Sequence, residues 1–245
     1  MLFRSATARA NADTSLAQVP ALFKRSTFVP HGTNIDIGAG KHDLGKRYLE
    51  ESRGVTESVP FDPFNRDAAT NRAAVERLKG GERFGTATVP NVLNVIAERS
   101  VRDNVVLQAA RSLEPGGVAY FQIYEGDGSG MGRTTSKGYQ NNMKTSAYLD
   151  EVKQHFRDVR TSSNVIIAKD PIITKRKAFW QLSPEGPSMQ FQPEAMPNGT
   201  VYREASGYSV VNKAGAKFRV YSPVGALLGV ANSLADAERM IRKRL

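Results

Sequence analysis

The chain has 245 residues, no cysteine and a formal net charge of +10 at pH 7. The lack of cysteine excludes disulfides, thiolate metal sites and any mechanism with a Cys nucleophile, and no apolar run approaches the roughly 20 residues that span a bilayer. The length suits one sizeable α/β domain with a small appendage, and the basic balance favours polyanion partners, nucleic acid first.

Residues 1–30 read as an N-terminal arm, flexible or docked, with a short helix around 19–28. Arg4, Arg9 and several Ser and Thr suit a transit peptide, but Asp13 and the lack of an amphipathic stripe speak against one, so a cytoplasmic chain is expected (host cytoplasm, if encoded by a virus). A short apolar strand follows at 33–37, a turn at Gly38-Ala39-Gly40 and a helix over 44–50. Residues 56–61 form a second strand, closed by Asp62-Pro63. A helical pattern over 67–78 stops at Gly80-Gly81. Residues 84–89 make a third strand. Val101, Val105, Ala109 and Leu113 place an apolar stripe on a helix that ends at Pro115-Gly116-Gly117. A strand at 118–124, a glycine-rich loop at 125–142, a helix at about 145–156 and a last strand at 164–168 complete the pattern. Alternating strands and helices predict an α/β fold with a doubly wound, mostly parallel sheet.

From Asp170 the chain turns proline-rich and reads as a linker through 199. The tail, 200–245, alternates at 208–212 and 217–221, begins a third run after Gly225, and has a helix capped by Ser233. It reads as a small basic module of three strands and a helix. Four parts are therefore expected: the arm at 1–30, the main domain at 31–169, the linker at 170–199 and the module at 200–245.

The stretch NIDIGAG, 34–40, puts an acid and two glycines between strand and helix. Glycines there let the backbone approach a ligand, and the helix N-terminus points at it. Asp62, one βα unit later, suits the hydroxyls of a ribose, although Asp-Pro also opens turns. The chain at this point resembles the class I S-adenosylmethionine-dependent methyltransferases over about 33–169, on four blocks in order: NIDIGAG, VPFDP, TVPNVLNVIAE and LEPGGVAYFQIYEG. More loosely, it resembles methyltransferase-like proteins of phage genomes and DNA-modification clusters.

The resemblance implies S-adenosylmethionine as cofactor, framed by Asp36, Gly38 and Gly40, with Asp62 on the ribose and Asn91 to Asn94 near the reacting methyl. It also implies that the usual outer strand between Asp62 and Phe84 is missing, since that segment holds one helix. Polar groups at the mouth are Asn91, Asn94, Tyr124, Glu125 and Asp127. Asn91 is the first catalytic candidate and Asp127 the candidate base, with turn duty equally open for Asp127.

The glycine-rich loop would form a substrate lid, with Arg133 and Lys137 meeting phosphate and Tyr139 a base. Lys213, Lys217, Arg219, Arg242, Lys243 and Arg244 make the tail a candidate nucleic-acid contact, DNA over RNA. The usual cytosine C5 chemistry is excluded without Cys, and the Asp/Asn-Pro-Pro-aromatic tetrapeptide of exocyclic-amine methylation is not present. No metal spacing joins His31, His42 and His155. Two other readings compete: a methyltransferase-fold protein without activity, serving as a viral or DNA-associated component, and a methyltransferase of small molecules or proteins.

Overall fold

The computed structural model describes residues 17–136, 138–172, 192–196, 199–203, 209–213, 217–222 and 226–242, with the backbone alone for 192–203, Lys213, Ala235 and Arg242. Two compact units divide the chain, Met1–Pro187 and Ser188–Leu245.

In the first unit the elements run β1 (Thr33–Ile37), α1 (Leu44–Ser52), β2 (Glu57–Phe61), α2 (Ala68–Lys79), β3 (Phe84–Pro90), α3 (Arg99–Ser112), β4 (Leu113–Gln122), the short β5 (Arg133–Thr135) and β6 (Gly138–Gln140), α4 (Leu149–Lys153), β7 (Phe156–Ser162) and β8 (Val165–Pro171). Six strands form one sheet in the order β2-β1-β3-β4-β8-β7. The pairs β1–β2, β1–β3 and β3–β4 are parallel, and β4–β8 and β7–β8 are antiparallel. Strand order reverses between β1 and β3, which makes their carboxyl ends the switch point where doubly wound folds hold ligands. β2 is the outermost strand and only α2 lies between it and β3, so the outer strand expected to be missing is missing.

Both sheet faces are covered, as a parallel sheet requires. One face carries Ile35, Ile37, Ala87, Val89, Phe121 and Ile123, packed with Ala74, Val75 and Leu78 of α2 and Val101, Val105 and Ala109 of α3. The predicted apolar stripe on α3 is thus the buried one. On the other face Val118, Tyr120, Val165 and Ile167 meet Leu49 of α1 and Leu22, Phe23 and Phe28 of the N-terminal segment. That segment forms a 3-10 turn at Ala21–Lys24 and is strapped down by side chains. Leu22 N–H donates to Gln122 Oε1 (3.0 Å), the Tyr120 hydroxyl donates to Val29 O (3.1 Å), and Arg53 donates to Phe28 O. Helix α2 begins where Asp67 accepts from Thr70 N–H (2.7 Å), an N-cap of the preferred kind.

Three elements differ from the sequence reading. The helix expected at about 145–156 is a 3-10 turn, Thr145–Tyr148, then five residues of α4. Phe156 opens an edge strand, β7, in which only Phe156 is fully buried; a strand with one covered face gives little hydrophobic periodicity to read. The glycine-rich loop folds back on itself as the β5–β6 hairpin.

The second unit is an antiparallel sheet in the order β13-β12-β11-β10-β9, built from β9 (Gln192–Met196), β10 (Gly199–Arg203), β11 (Ser209–Lys213), β12 (Phe218–Tyr221) and β13 (Leu227–Ala231), with the helix α5 (Leu234–Arg242). The three expected strands and the helix are present; β9, from the segment read as linker, and β10, at the start of the expected module, extend the sheet. Ser233 caps α5, accepting from Asp236 N–H (3.1 Å) and donating to its carboxylate (2.9 Å). Ala237 and Ile241 of α5 close over Val210, Val220 and Ala231.

Beneath the loop after β3, Arg102 and Glu151 form a bidentate pair (2.9 and 2.6 Å), and both are nearly excluded from solvent. Removing one partner strands the other charge in the interior. Glu151→Ala is therefore expected to lower the unfolding free energy by about 3–5 kcal/mol, read from urea denaturation.

Candidate active site

The carboxyl ends of β1, β3 and β4 define the site. Asn34 and Asp36 alternate with Ile35 and Ile37 along β1, so both polar side chains face the layer of α1. The Thr88 hydroxyl donates to Asp36 Oδ1 (2.8 Å), while Asn34 Nδ2 donates to Thr88 Oγ1 (3.2 Å) and Ser58 Oγ (3.0 Å). Burial pushes the Asp36 carboxyl up to about 7; the Thr88 hydrogen bond and the Arg66 charge oppose the rise, and the Asp62 charge adds to it.

The glycine turn is closed upon itself. Gly38 N–H and Ala39 N–H both point to Phe61 O (2.8 and 3.4 Å). Gly38 has φ +81°, and a Cβ built on it would overlap Cγ2 of Val92, so the loop after β3 lies directly on the turn. From the other side Arg66 donates to Gly40 O (2.6 Å), His42 O (2.9 Å) and the Asp43 carboxylate (2.6 Å).

Asp62 is placed beside Gly40, but its carboxylate is engaged. Oδ1 accepts from Phe64 and Asn65 N–H (both 3.0 Å), and Oδ2 accepts from Gly40 N–H (2.9 Å) and Asn65 Nδ2 (3.1 Å). Four donors fill the capacity of one carboxylate, so Asp62 holds its own turn and the glycine loop. Asn34 Oδ1 on β1 and, beside Asp62, Asn65 Oδ1 are both buried without a donor. The orientation of Asn65 is fixed, because flipping the amide would set oxygen against the Asp62 carboxylate.

Asn91 follows Pro90 at the end of β3. It is exposed, has φ +58° and donates its N–H to Gln122 O (2.9 Å); non-glycine residues in this region are uncommon, with Asn the most tolerant. Asn94 is buried and committed to the scaffold: its Nδ2 donates to Gln140 Oε1 (3.1 Å) and its Oδ1 receives Tyr124 N–H (3.4 Å). Glu125 binds the N–H and hydroxyl of Thr145 (2.7 and 2.5 Å), which holds its carboxyl below the usual range.

Asp127 sits on an exposed turn, accepting from Ser129 N–H (3.0 Å), and the Ser129 hydroxyl, followed by this amide, lowers its proton affinity. The geometry gives Asp127 turn duty and weakens it as a base. Arg133 is two-thirds exposed, 3.9 Å from Asp127. The Tyr139 hydroxyl is turned inward against the backbone of Gly132, where a Cβ would overlap it. Lys137 lies outside the described residues.

In the second unit Lys217 and Arg219 are exposed, and Arg219 stands between Val211 and Val230 in register. The side chains of Lys213 and Arg242, and all of Lys243 and Arg244, lie outside the described residues. Among the described residues no group of three His, Cys, Asp or Glu is gathered as a metal site needs, and no helix is long and apolar enough to cross a membrane.

No family model matches the chain and no curated protein matches it. Among solved structures it is similar to a sugar N-methyltransferase, KedS8, from Streptoalloteichus sp. (12% identity, TM-score 0.41, 68% of this chain and 87% of that one). It is also similar to the glycopeptide N-methyltransferase MtfA bound to S-adenosylhomocysteine (13% identity, TM-score 0.40, 64% and 90%), and to the N-methyltransferase NodS from Bradyrhizobium japonicum (10% identity, TM-score 0.37, 66% and 96%). The six-stranded sheet, in the order β2-β1-β3-β4-β8-β7, makes the fold doubly wound and Rossmann-like. At this similarity the sheet order carries that assignment, and the acceptors named for those proteins remain theirs.

Arg66 and Asn65 escape the sequence reading. Arg66 acts on Gly40, His42 and Asp43, distant in the chain, and the contact of Val92 with Gly38 is likewise one that no period or motif shows.

Two outcomes are expected. An aspartate protonated in the fold and ionised when unfolded binds one more proton in the native state, so its stabilisation is complete below the ordinary value of 3.8 and is lost as pH rises to about 7. Asp36→Asn should flatten that fall, an effect on the order of 2–4 kcal/mol between about pH 4 and pH 8 in urea melts; equal slopes in variant and wild type would refute a buried neutral carboxyl. Gly38→Ala should cost about 2–4 kcal/mol through strain at positive φ and overlap with Val92, and adding Val92→Ala should recover only the overlap part.

Proposed function

We propose that the chain is an S-adenosylmethionine-dependent methyltransferase acting on nucleic acid, DNA favoured, by direct transfer to a nitrogen or oxygen acceptor. The observation that carries the reading is the arrangement at the switch point: a buried acid ends β1, a glycine turn follows it, and an unsatisfied acceptor stands beside Asp62. These groups fit the cofactor. Asp36 would hold its ammonium, and Asn65 Oδ1 would receive a ribose hydroxyl, with Asp62 fixing the amide rather than meeting the ribose itself. When bound, the sulfonium supplies an activated methyl group.

The protein's part is then placement and exclusion of water. The amide of Asn91, at the end of the neighbouring strand, orients the acceptor. The nucleic-acid acceptor is supported by the net charge of +10 and by the exposed cations Arg133, Lys217 and Arg219.

A second reading, a methyltransferase fold without activity, is favoured by one observation. Val92 lies against Gly38 and the amides of the glycine turn are already bonded, so entry of a ligand requires this loop to move.

Calorimetric titration with S-adenosylhomocysteine separates the two. Binding on the order of micromolar, weakened by about 1.5–3 kcal/mol in Asp36→Ala, is the expected result. No heat at millimolar ligand would leave the second reading.

A further inference from the structure

The loop that leaves β4 has a feature the cofactor reading does not use. Its backbone is held by buried polar side chains, while its largest side chains face solvent. Gln140 Nε2 donates to Tyr124 O (2.7 Å), and Asn94 Oδ1 takes Tyr124 N–H. Asn142, buried and at φ +54°, receives Gly130 N–H at its backbone O (2.6 Å) and donates from Nδ2 to Met131 O (3.0 Å). Its side chain also fills the place of a Gly126 Cβ. The segment 126–131 is thereby folded back toward the end of β4. Yet Tyr124 is 61% exposed and Met131 73% exposed.

A mobile surface loop needs no such internal bonding. Here two large side chains are kept in water by a frame of Asn94, Gln140 and Asn142. The frame stands at the carboxyl edge, one strand from Asn91, whose N–H is bonded to Gln122 O only two residues before Tyr124. Arg133 follows on the same loop, and its distance of 3.9 Å from Asp127, with both side chains exposed, makes a loose pair that water screens. An exposed aromatic ring and an exposed guanidinium on one loop, in a chain of net charge +10, suit a ligand that is flat and anionic in one unit.

We infer that this loop is the acceptor platform for a single-stranded or locally unpaired nucleic acid, with Tyr124 stacking one base, Met131 flanking it and Arg133 meeting its phosphate. The inference rests on the acceptor class proposed above and replaces Tyr139, whose hydroxyl is packed inward, as the stacking residue. Every base has a π-face, so the platform tolerates sequence. An unpaired base is needed because a stacked one offers no free face.

The test is fluorescence anisotropy of the full chain with a labelled mixed-sequence single-stranded oligodeoxynucleotide, with S-adenosylhomocysteine titrated in parallel. Tyr124→Ala should weaken oligonucleotide binding roughly 5- to 100-fold, Tyr124→Phe should bind as the wild type does, and neither should alter the S-adenosylhomocysteine affinity. Arg133→Gln should reduce the slope of log K against log salt by about 0.7 to 1. An unchanged affinity in Tyr124→Ala would overturn the platform and assign the binding to other basic surface. A wild type that binds S-adenosylhomocysteine but no oligonucleotide would also overturn it and point to a small-molecule acceptor. Loss of S-adenosylhomocysteine binding in the wild type bears on the cofactor reading alone, since the oligonucleotide arm still decides the platform.

Discussion

Backbone carbonyls that leave a sheet without leaving the interior must find donors, and the carboxyl edge of this sheet depends on how that is done. The loop after β3 is buried beside the core. Asn141 Nδ2 donates to Leu93 O and Ile96 O (3.0 and 2.9 Å), and Arg102 donates to Ile96 O and Ala97 O (2.9 and 2.7 Å). Unpaired, such groups cost about 1–3 kcal/mol each. Arg102 is in turn neutralised by Glu151 and lies over the Tyr148 ring. Glu151 belongs to α4, so the same pair seats that helix beneath the loop.

The glycine turn obeys the same constraint with different groups. Its amides reach back to Phe61 and Asp62, and its carbonyls are met by Arg66. The positive charge of Arg66 and the negative charge of Asp62 act in opposite senses on Asp36, so the acid at the end of β1 sits between them and is governed mainly by its burial. The shape of this corner therefore depends on residues that hold the loop as much as on residues that line it.

The strands, the order of the four motif blocks and the lost outer strand were legible because they rest on local pattern: apolar runs, glycine turns and the short span from Asp62 to Phe84. The buried stripe of α3 was legible from its spacing. Asp62 suits a ribose or a turn by sequence alone, which cannot show that Gly40, Phe64 and Asn65 point their donors at it. Nor can it show that Asn94 is engaged by Gln140, or decide for Asp127, where turn duty is equally open, that Ser129 binds it. Strand β7 was missed since its charged edge face hides the alternation, and β9 was hidden among prolines. What reads well is what neighbours in sequence decide; Arg66 and Val92 act across the fold.

The missing outer strand has a consequence for the free state of the protein. Among the described residues it leaves β2 paired on one side only, and an open strand is a template on which another chain can add. β2 is five residues long, contains Pro60 and begins at Glu57, which Arg77 of α2 grips in a bidentate pair (2.6 and 2.8 Å). A proline offers no amide for a new partner, and a charged, anchored start leaves little flat surface for one. The shortened sheet thus resists growing into a fibre by the same few residues that end it.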